Sequence, residues 1–222
     1  MKKTCVLIPS YNEAKTIGGI VHALKAMGLT AYVVDDGSTD ETGRIAKTEG
    51  EVVIRNNVNK GKGASIQEGL NIILKSDFDS VLIMDGDGQH SIEDIPYFFK
   101  RMEATGADII IGNRMLDTSR MPLIRIWTNL FMSGLISSIA GQKIEDSQCG
   151  FRLFKRGVLD SVRLRSTNYD AESEIIIVAS RKWFKIESVP VKTVYEGEKS
   201  RINPFVDTIR FIALIFRSFF KR

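Results

Sequence analysis

VLIMDGDGQH, residues 81–90, runs four apolar residues straight into two aspartates separated by one glycine. A continuous apolar run closed by acids and glycines reads as a strand buried on both faces, the habit of parallel sheets. Working outward, the same pattern recurs in TCVLIPS (4–10), AYVVDDG (31–37), EVVIRN (51–56) and DIIIGNR (108–114), with SVLIMDGD (80–87) the strand of the quoted stretch. Segments long enough for crossover helices lie between them, around 14–28, 39–48, 62–75 and 92–104. Ser10 with Glu13, Ser38 with Glu41, and Ser91 with Asp94 have capping-box spacing at three helix starts. Such alternation predicts an α/β fold: a mainly parallel open sheet, Rossmann-like, with helices on both faces and right-handed crossovers.

The second half is less regular. LIRIWTNLFMSGLISSIAG (123–141) reads as a helix and CGFRLFK (149–155) as a further strand. YDAESEIIIVASRKW (169–183) reads as a helix, FKIESVPVKTVYE (184–196) as a strand, and the segment from Asn203 to Arg222 as a closing helix. No repeat or linker interrupts the chain. The expectation is one domain over 1–203, followed by a helical appendage over 204–222.

The 222 residues suffice for one sizeable core, and the mild net charge of +4 fits an anionic ligand or a membrane surface, or simply solubility. Two cysteines, Cys5 and Cys149, have no metal-type spacing; they exclude a disulfide scaffold and suit a reducing compartment. The basic start is followed by too short an apolar run for a signal peptide. No apolar stretch reaches the roughly 20 residues that span a bilayer.

In an open α/β sheet, ligands bind outside the carboxyl ends of the strands. PSYNE follows the first strand, DDGSTD the second, DGDGQ the fourth and GNR the fifth, so the polar residues gather at one edge. In an extended segment residues i and i+2 point the same way, so Asp85 and Asp87 converge and repel unless a cation lies between them. Few oxygen ligands suit Mg²⁺ or Mn²⁺, with water and phosphate oxygens completing the shell. The bland alternative is a loop with two solvated aspartates, and His90 reads as a loop or cap residue. Asp35 and Asp36 end the second strand, where an acid can bind ribose hydroxyls or a base edge, or can serve the following helix start. NKGKGAS (59–65) sets Lys62 between two glycines at a helix start; it suits a phosphate but lacks the full spacing of a P-loop.

Taken in order, IPSYNE, VVDDGSTDET, NKGKGAS, DGDGQH, IGNR and DSQCGFRLF resemble a family 2 inverting glycosyltransferase of the GT-A fold. The set is similar to dolichyl-phosphate mannose synthases and bacterial polyprenyl-phosphate hexosyltransferases, and the resemblance covers nearly the whole chain. It implies that Pro9, Tyr11, Glu13, Asp35, Asp36, Lys62, Asp85 and Gly86 hold the nucleotide sugar. It implies a Mg²⁺ or Mn²⁺ site of Asp85, Asp87 and Gln89, which places Asp87 among the catalytic groups. Arg114 and Arg125 match arginines that bind the lipid phosphate, a task suited to the arginine fork. EGEKSRINP (196–204) resembles a segment that closes over the site, with Lys199 and Arg201 as further phosphate contacts.

Asp146 stands where many relatives carry the catalytic carboxylate. A sugar hydroxyl acceptor needs a general base, whereas a phosphate monoester, with a second pKa near 6, does not. Asp146 is therefore either a base or a group that orients the acceptor. Glu172 and Glu174 belong to a recurrent family segment and read as structural or loop-closing. In the tail, Phe205, Ile209, Ile212, Phe216, Phe219 and Phe220 share one face, opposite Arg210, Arg217 and Lys221. A basic amphipathic helix of this kind packs on its own domain or lies on a membrane surface.

The leading expectation is an enzyme that moves one mannose- or glucose-type hexose from a GDP- or UDP-sugar to polyprenyl phosphate. It would work as a peripheral protein at the cytoplasmic face of a membrane, alone, self-associated or with a membrane-protein partner, and without nucleic acid. Two alternatives remain open. One keeps the donor and takes a glycan or protein hydroxyl as acceptor; the other is a nucleotide-sugar-binding module without catalysis.

Overall fold

The computed structural model describes residues 3–49, 52–119, 121–162 and 171–192. Seven strands form one sheet: β1 (Thr4–Ser10), β2 (Thr30–Asp35), β3 (Val52–Arg55), β4 (Ser80–Ile83), β5 (Ile109–Asn113), β6 (Arg152–Lys155) and β7 (Ile186–Pro190). Their spatial order is β3-β2-β1-β4-β6-β5-β7, and only β6 runs antiparallel to its neighbours. The helices are α1 (Ile17–Ala26), α2 (Thr42–Thr48), α3 (Lys62–Ile73), α4 (Ile95–Thr105), α5 (Leu123–Ala140), α6 (Arg156–Ser161) and α7 (Ala171–Arg181). The mainly parallel α/β sheet expected from the apolar runs is the one observed.

The physical reason is legible strand by strand. Cys5–Ile8, Val33, Val34, Val81–Ile83 and Ile109–Ile111 are all buried, so these strands have apolar neighbours on both faces. Strand order reverses between β1 and β4, because β2 and β3 extend the sheet one way and the later strands the other. The loops after β1 and β4 therefore leave the sheet on either side of one crevice, the usual ligand position in open α/β sheets.

Three expectations need correction. The quoted stretch leaves the sheet at Ile83, so Asp85 and Asp87 stand in a loop and not on an extended strand; the i, i+2 argument for their convergence does not apply. None of the three capping boxes forms. α1 begins at Ile17 and α2 at Thr42, and neither has a side-chain cap bond; a short 3-10 turn over Ile92–Asp94 precedes α4, likewise uncapped. Ser38 instead accepts the Asn12 N–H at 3.0 Å and gives its own N–H to Asp35 at 2.9 Å, tying two loops together rather than starting a helix. CGFRLFK is a strand only from Arg152, and its direction, which sequence could not supply, brings the loop before it to the site. The helix proposed over 204–222, the closing segment with Lys199 and Arg201, and the first residues of the 169–183 helix lie outside the described residues.

Candidate active site

Five segments meet at the carboxyl edge. Pro9 is buried near the end of β1, and Tyr11 and Glu13 are part-exposed in the loop that follows, where Asn12 takes a left-handed φ of 57°. The Asn12 side chain accepts the Thr39 N–H at 2.8 Å, and the Glu13 N–H reaches Thr42 Oγ1 at 2.8 Å, so the first and second loops are fastened side by side. Thr16 donates its hydroxyl to the Gly86 carbonyl at 2.6 Å, fastening the first loop to the fourth. A Cβ on Gly86 would lie 2.5 Å from Ser10 Oγ, so only glycine lets these two loops come so close.

The two acids at the end of β2 divide the work. Asp35 is fully buried; it accepts the Ser38 N–H and pairs with Arg55 Nε at 3.4 Å. Asp36 accepts from Asn56 Nδ2 at 3.0 Å, the Lys60 N–H at 3.0 Å and the Gly61 N–H at 2.8 Å. Both its oxygens hold the loop that leads into α3, so Asp36 acts on the site by placing Lys62.

Lys62 opens α3 and reaches Asp85 Oδ1 at 2.5 Å and Glu172 Oε1 at 3.0 Å. Burial works against its ammonium, but the two carboxylates outweigh burial and hold it well above the usual lysine range. Burial alone would raise Asp85; the Lys62 charge and then the His90 hydrogen bond keep it below the usual carboxylate range. Asp87 moves the other way: burial first, and the Asp85 charge second, push its carboxyl up. Its Oδ1 accepts the Gln89 N–H at 2.9 Å. Among the described residues, no group of three or more His, Cys, Asp or Glu side chains could hold a metal by itself.

On the far side of the crevice, β5 ends at Asn113 and delivers Arg114. Its guanidinium grips Asp146 with a fork, Nε to Oδ2 at 2.7 Å and an Nη to Oδ1 at 2.9 Å. The Arg114 N–H, Asn129 Nδ2 and the Gln148 N–H bring the donors on this carboxylate to five. Asp146 has no exposure at all, whereas the arginine above it is part-exposed. Burial favours the neutral acid, but Arg114 and then Asn129 overcome it and hold Asp146 below the usual carboxylate range. Arg125 is half-buried on the first turn of α5 and makes no ion pair among the described residues.

Residues 5–163 match the family described as Glycosyl transferase family 2. The chain belongs to that family. Among its curated relatives, a UDP-N-acetylglucosamine–dolichyl-phosphate N-acetylglucosaminyltransferase of Methanococcus voltae is 30% identical over 213 residues, covering 86% of this chain and 85% of the relative. A polyprenol monophosphomannose synthase of Mycolicibacterium smegmatis is 28% identical over 207 residues, covering 86% and 77%. In architecture the chain is similar to the glucosyl-3-phosphoglycerate synthase of Mycobacterium tuberculosis, solved with Mn²⁺, UDP and phosphoglyceric acid. The TM-score is 0.74 at 16% identity over 98% of this chain and 78% of that one, a likeness of fold.

Seen in this family 2 glycosyltransferase, the DSQCGFRLF segment is the part whose role the sequence hid. Because β6 is antiparallel, the loop before it lies at the same edge as the ends of β4 and β5. Arg152 is fully buried and fixes that loop, donating to the carbonyls of Ser147 and Cys149 at 2.7 Å each and also to that of Glu172. Gly150 sits where a Cβ would lie 2.9 Å from Asp85, 3.0 Å from Lys62 and 3.2 Å from Glu172, so a side chain there would prise the cluster apart. His90 is buried, stacks on Phe151 with ring centroids 4.9 Å apart, and turns Nε2 to within 3.5 Å of Asp85 Oδ2. The spacing FRLF carried a hint of Arg152, a charge inside an apolar strand; His90 read only as a loop or cap residue, and Glu172 stood out only through the family segment it shares with Glu174.

Proposed function

We propose that this family 2 glycosyltransferase moves one hexosyl-type residue from a nucleotide sugar to the phosphate of a polyprenyl phosphate, with inversion at the anomeric carbon. The observation that carries the choice of acceptor is the Arg114–Asp146 pair. A hydroxyl acceptor needs a base. Asp146 is fully buried, takes five donors and binds a proton less readily than an ordinary carboxylate, so it is badly placed to be one. A phosphate acceptor arrives already ionised near neutral pH and needs a cation to receive it. Arg114, the part-exposed member of the pair, offers a planar guanidinium whose aim Asp146 fixes. The names of the dolichyl-phosphate and polyprenol relatives point the same way.

On the donor side, Pro9, Tyr11, Glu13 and Asp35 frame the nucleotide pocket, Asp36 sets the loop that presents Lys62, and Gly86 lets the crevice close. The donor set fits a hard divalent cation: Asp87 and Asp85 are neighbouring carboxylates, Asp87 is raised first by burial and then by the Asp85 charge, and oxygen ligands beyond them would come from Gln89, water and diphosphate. Mg²⁺ or Mn²⁺ there would neutralise charge on the departing nucleoside diphosphate. Lys62 adds a second positive charge beside Asp85, and Arg125 a second arginine near the acceptor. Lys199 and Arg201 complete the proposed phosphate contacts from the closing segment, and work at the cytoplasmic face of a membrane follows from the acceptor.

The test is a partition assay with the full chain, labelled GDP-mannose, UDP-glucose or UDP-N-acetylglucosamine, polyprenyl phosphate and Mn²⁺ or Mg²⁺. Label is expected in the organic phase, lost with chelator, and reduced roughly 10²–10³-fold by Asp87→Ala or Arg114→Ala. Organic-phase label that survives Arg114→Ala, or transfer only to hydroxyl acceptors, would overturn the acceptor assignment.

A further inference from the structure

α5 is two-faced. Asn129, Met132, Ser133 and Ile136 are buried, and the polar pair among them is bonded into the site: Asn129 to Asp146 at 2.6 Å, Ser133 to the Ser147 N–H at 2.8 Å. The opposite face of its first half leaves Leu123 75%, Ile124 66%, Trp127 71% and Phe131 63% exposed, with Leu130 half-exposed beside them. At 100° per residue these five fall within about a third of the helix circumference. Such an apolar patch, contiguous and aromatic, is what a soluble surface avoids unless something covers it.

We infer that the first half of α5 docks on a lipid bilayer, lying in the interface beside the Arg114–Asp146 site. By length and composition the helix could cross a membrane. Its buried face argues against that, because Asn129 and Ser133 are bonded to the protein interior. The choice of a bilayer over a second copy rests on three features. No carboxylate lies along α5 to repel anionic headgroups, and its single charged residue, Arg125, falls on the side of Asn129, away from the patch. Tryptophan and phenylalanine beside leucine make up the usual inserted face of an interfacial helix. The patch also adjoins the edge proposed above to receive a lipid phosphate, and the choice of lipid rests on that reading. Docking would hold Arg114 at headgroup depth through the same helix that orients Asp146.

The chain has two tryptophans, which makes the test direct. Trp183 is 92% exposed just before β7, at the opposite edge of the sheet, and serves as the control. Full-length Trp183→Phe reports on Trp127 alone, and Trp127→Phe on Trp183 alone. With vesicles of phosphatidylcholine and phosphatidylglycerol carrying brominated acyl chains, Trp127 emission should shift to the blue and be quenched, while Trp183 stays in water. The double variant Leu130→Ser, Phe131→Ser should bind vesicles at least roughly tenfold more weakly in co-sedimentation, with an unchanged urea midpoint. Three outcomes overturn the inference: no vesicle binding, binding with Trp127 still in water, or Trp127 already shielded before lipid is added and released on dilution, the mark of a second copy. If Trp127 inserts but no polyprenyl phosphate is glycosylated, the acceptor assignment falls and the docking surface stands.

Discussion

Two carboxylates line the crevice, Asp146 fully buried and Asp85 part-exposed, each leaning on one cation, yet they are held in opposite styles. Asp146 is gripped by a planar fork, an amide and two backbone N–H groups, and has no further exposure to offer. Asp85 shares a single ammonium with Glu172 and keeps part of its surface open. A guanidinium fork fixes direction, whereas an ammonium is a point charge that can be redistributed between partners. The Asp146 half thus serves as a rigid mount for Arg114, and the Asp85 half as a set of charges that a cation and a diphosphate can rearrange.

The hardest blow to this contrast is Asp146→Ala. It strands Arg114 over a buried gap, and loss of about 3–5 kcal/mol is expected in urea unfolding, as for other broken buried pairs. A loss below about 1 kcal/mol would mean that the mount is not structural. Next in size is Gly150→Ala, whose methyl enters the space between Asp85, Lys62 and Glu172. Overpacking there should cost about 1–3 kcal/mol and weaken binding of the nucleoside diphosphate with Mn²⁺ in calorimetry. Unaltered stability and affinity would show that the cluster yields easily.

The pH dependence separates the two halves further. Asp146 ionises more readily in the folded protein than in the unfolded chain. Its contribution is therefore present above the ordinary carboxylate range near 3.9 and is lost as pH falls through the lowered folded value. The stability gap between the parent protein and Asp146→Asn should be full at pH 7 and narrow on acidification; a gap independent of pH would point to packing alone. The smallest effect has the opposite sign. Asp87 is raised by burial and by Asp85, so its ionised form is disfavoured by folding at neutral pH. Without metal, Asp87→Asn should gain a few tenths of a kcal/mol at pH 7 and lose that gain below the ordinary carboxylate range. An inactive but slightly more stable variant is the signature of a site that stores repulsion for a ligand.

Much of this was legible from residue order. Continuous apolar runs revealed the strands, all buried except β3, which lies at the sheet edge with Val52 exposed, and the acids at their ends revealed a shared edge. The capping box at Ser38 misled because its hydroxyl is taken by the Asn12 N–H of the neighbouring loop, which spacing within one segment cannot reveal. The apolar character of 123–141 was equally ambiguous: periodicity marks a helix but does not say which face the protein leaves uncovered.

What the sequence by itself determined is local: the strands, the acidic and glycine-rich loops that follow them, and the ordered motifs of family 2. Only tertiary structure decided that β6 turns back between β4 and β5, carrying Asp146 to Arg114 and Gly150 to Asp85. It alone brought Lys62, Asp85 and Glu172 into contact and, among the described residues, left one face of α5 exposed. The reason is physical. A backbone run is set by its own side chains, but a charge cluster or an uncovered face is set by partners far along the chain, and sequence spacing carries no record of which of them will meet.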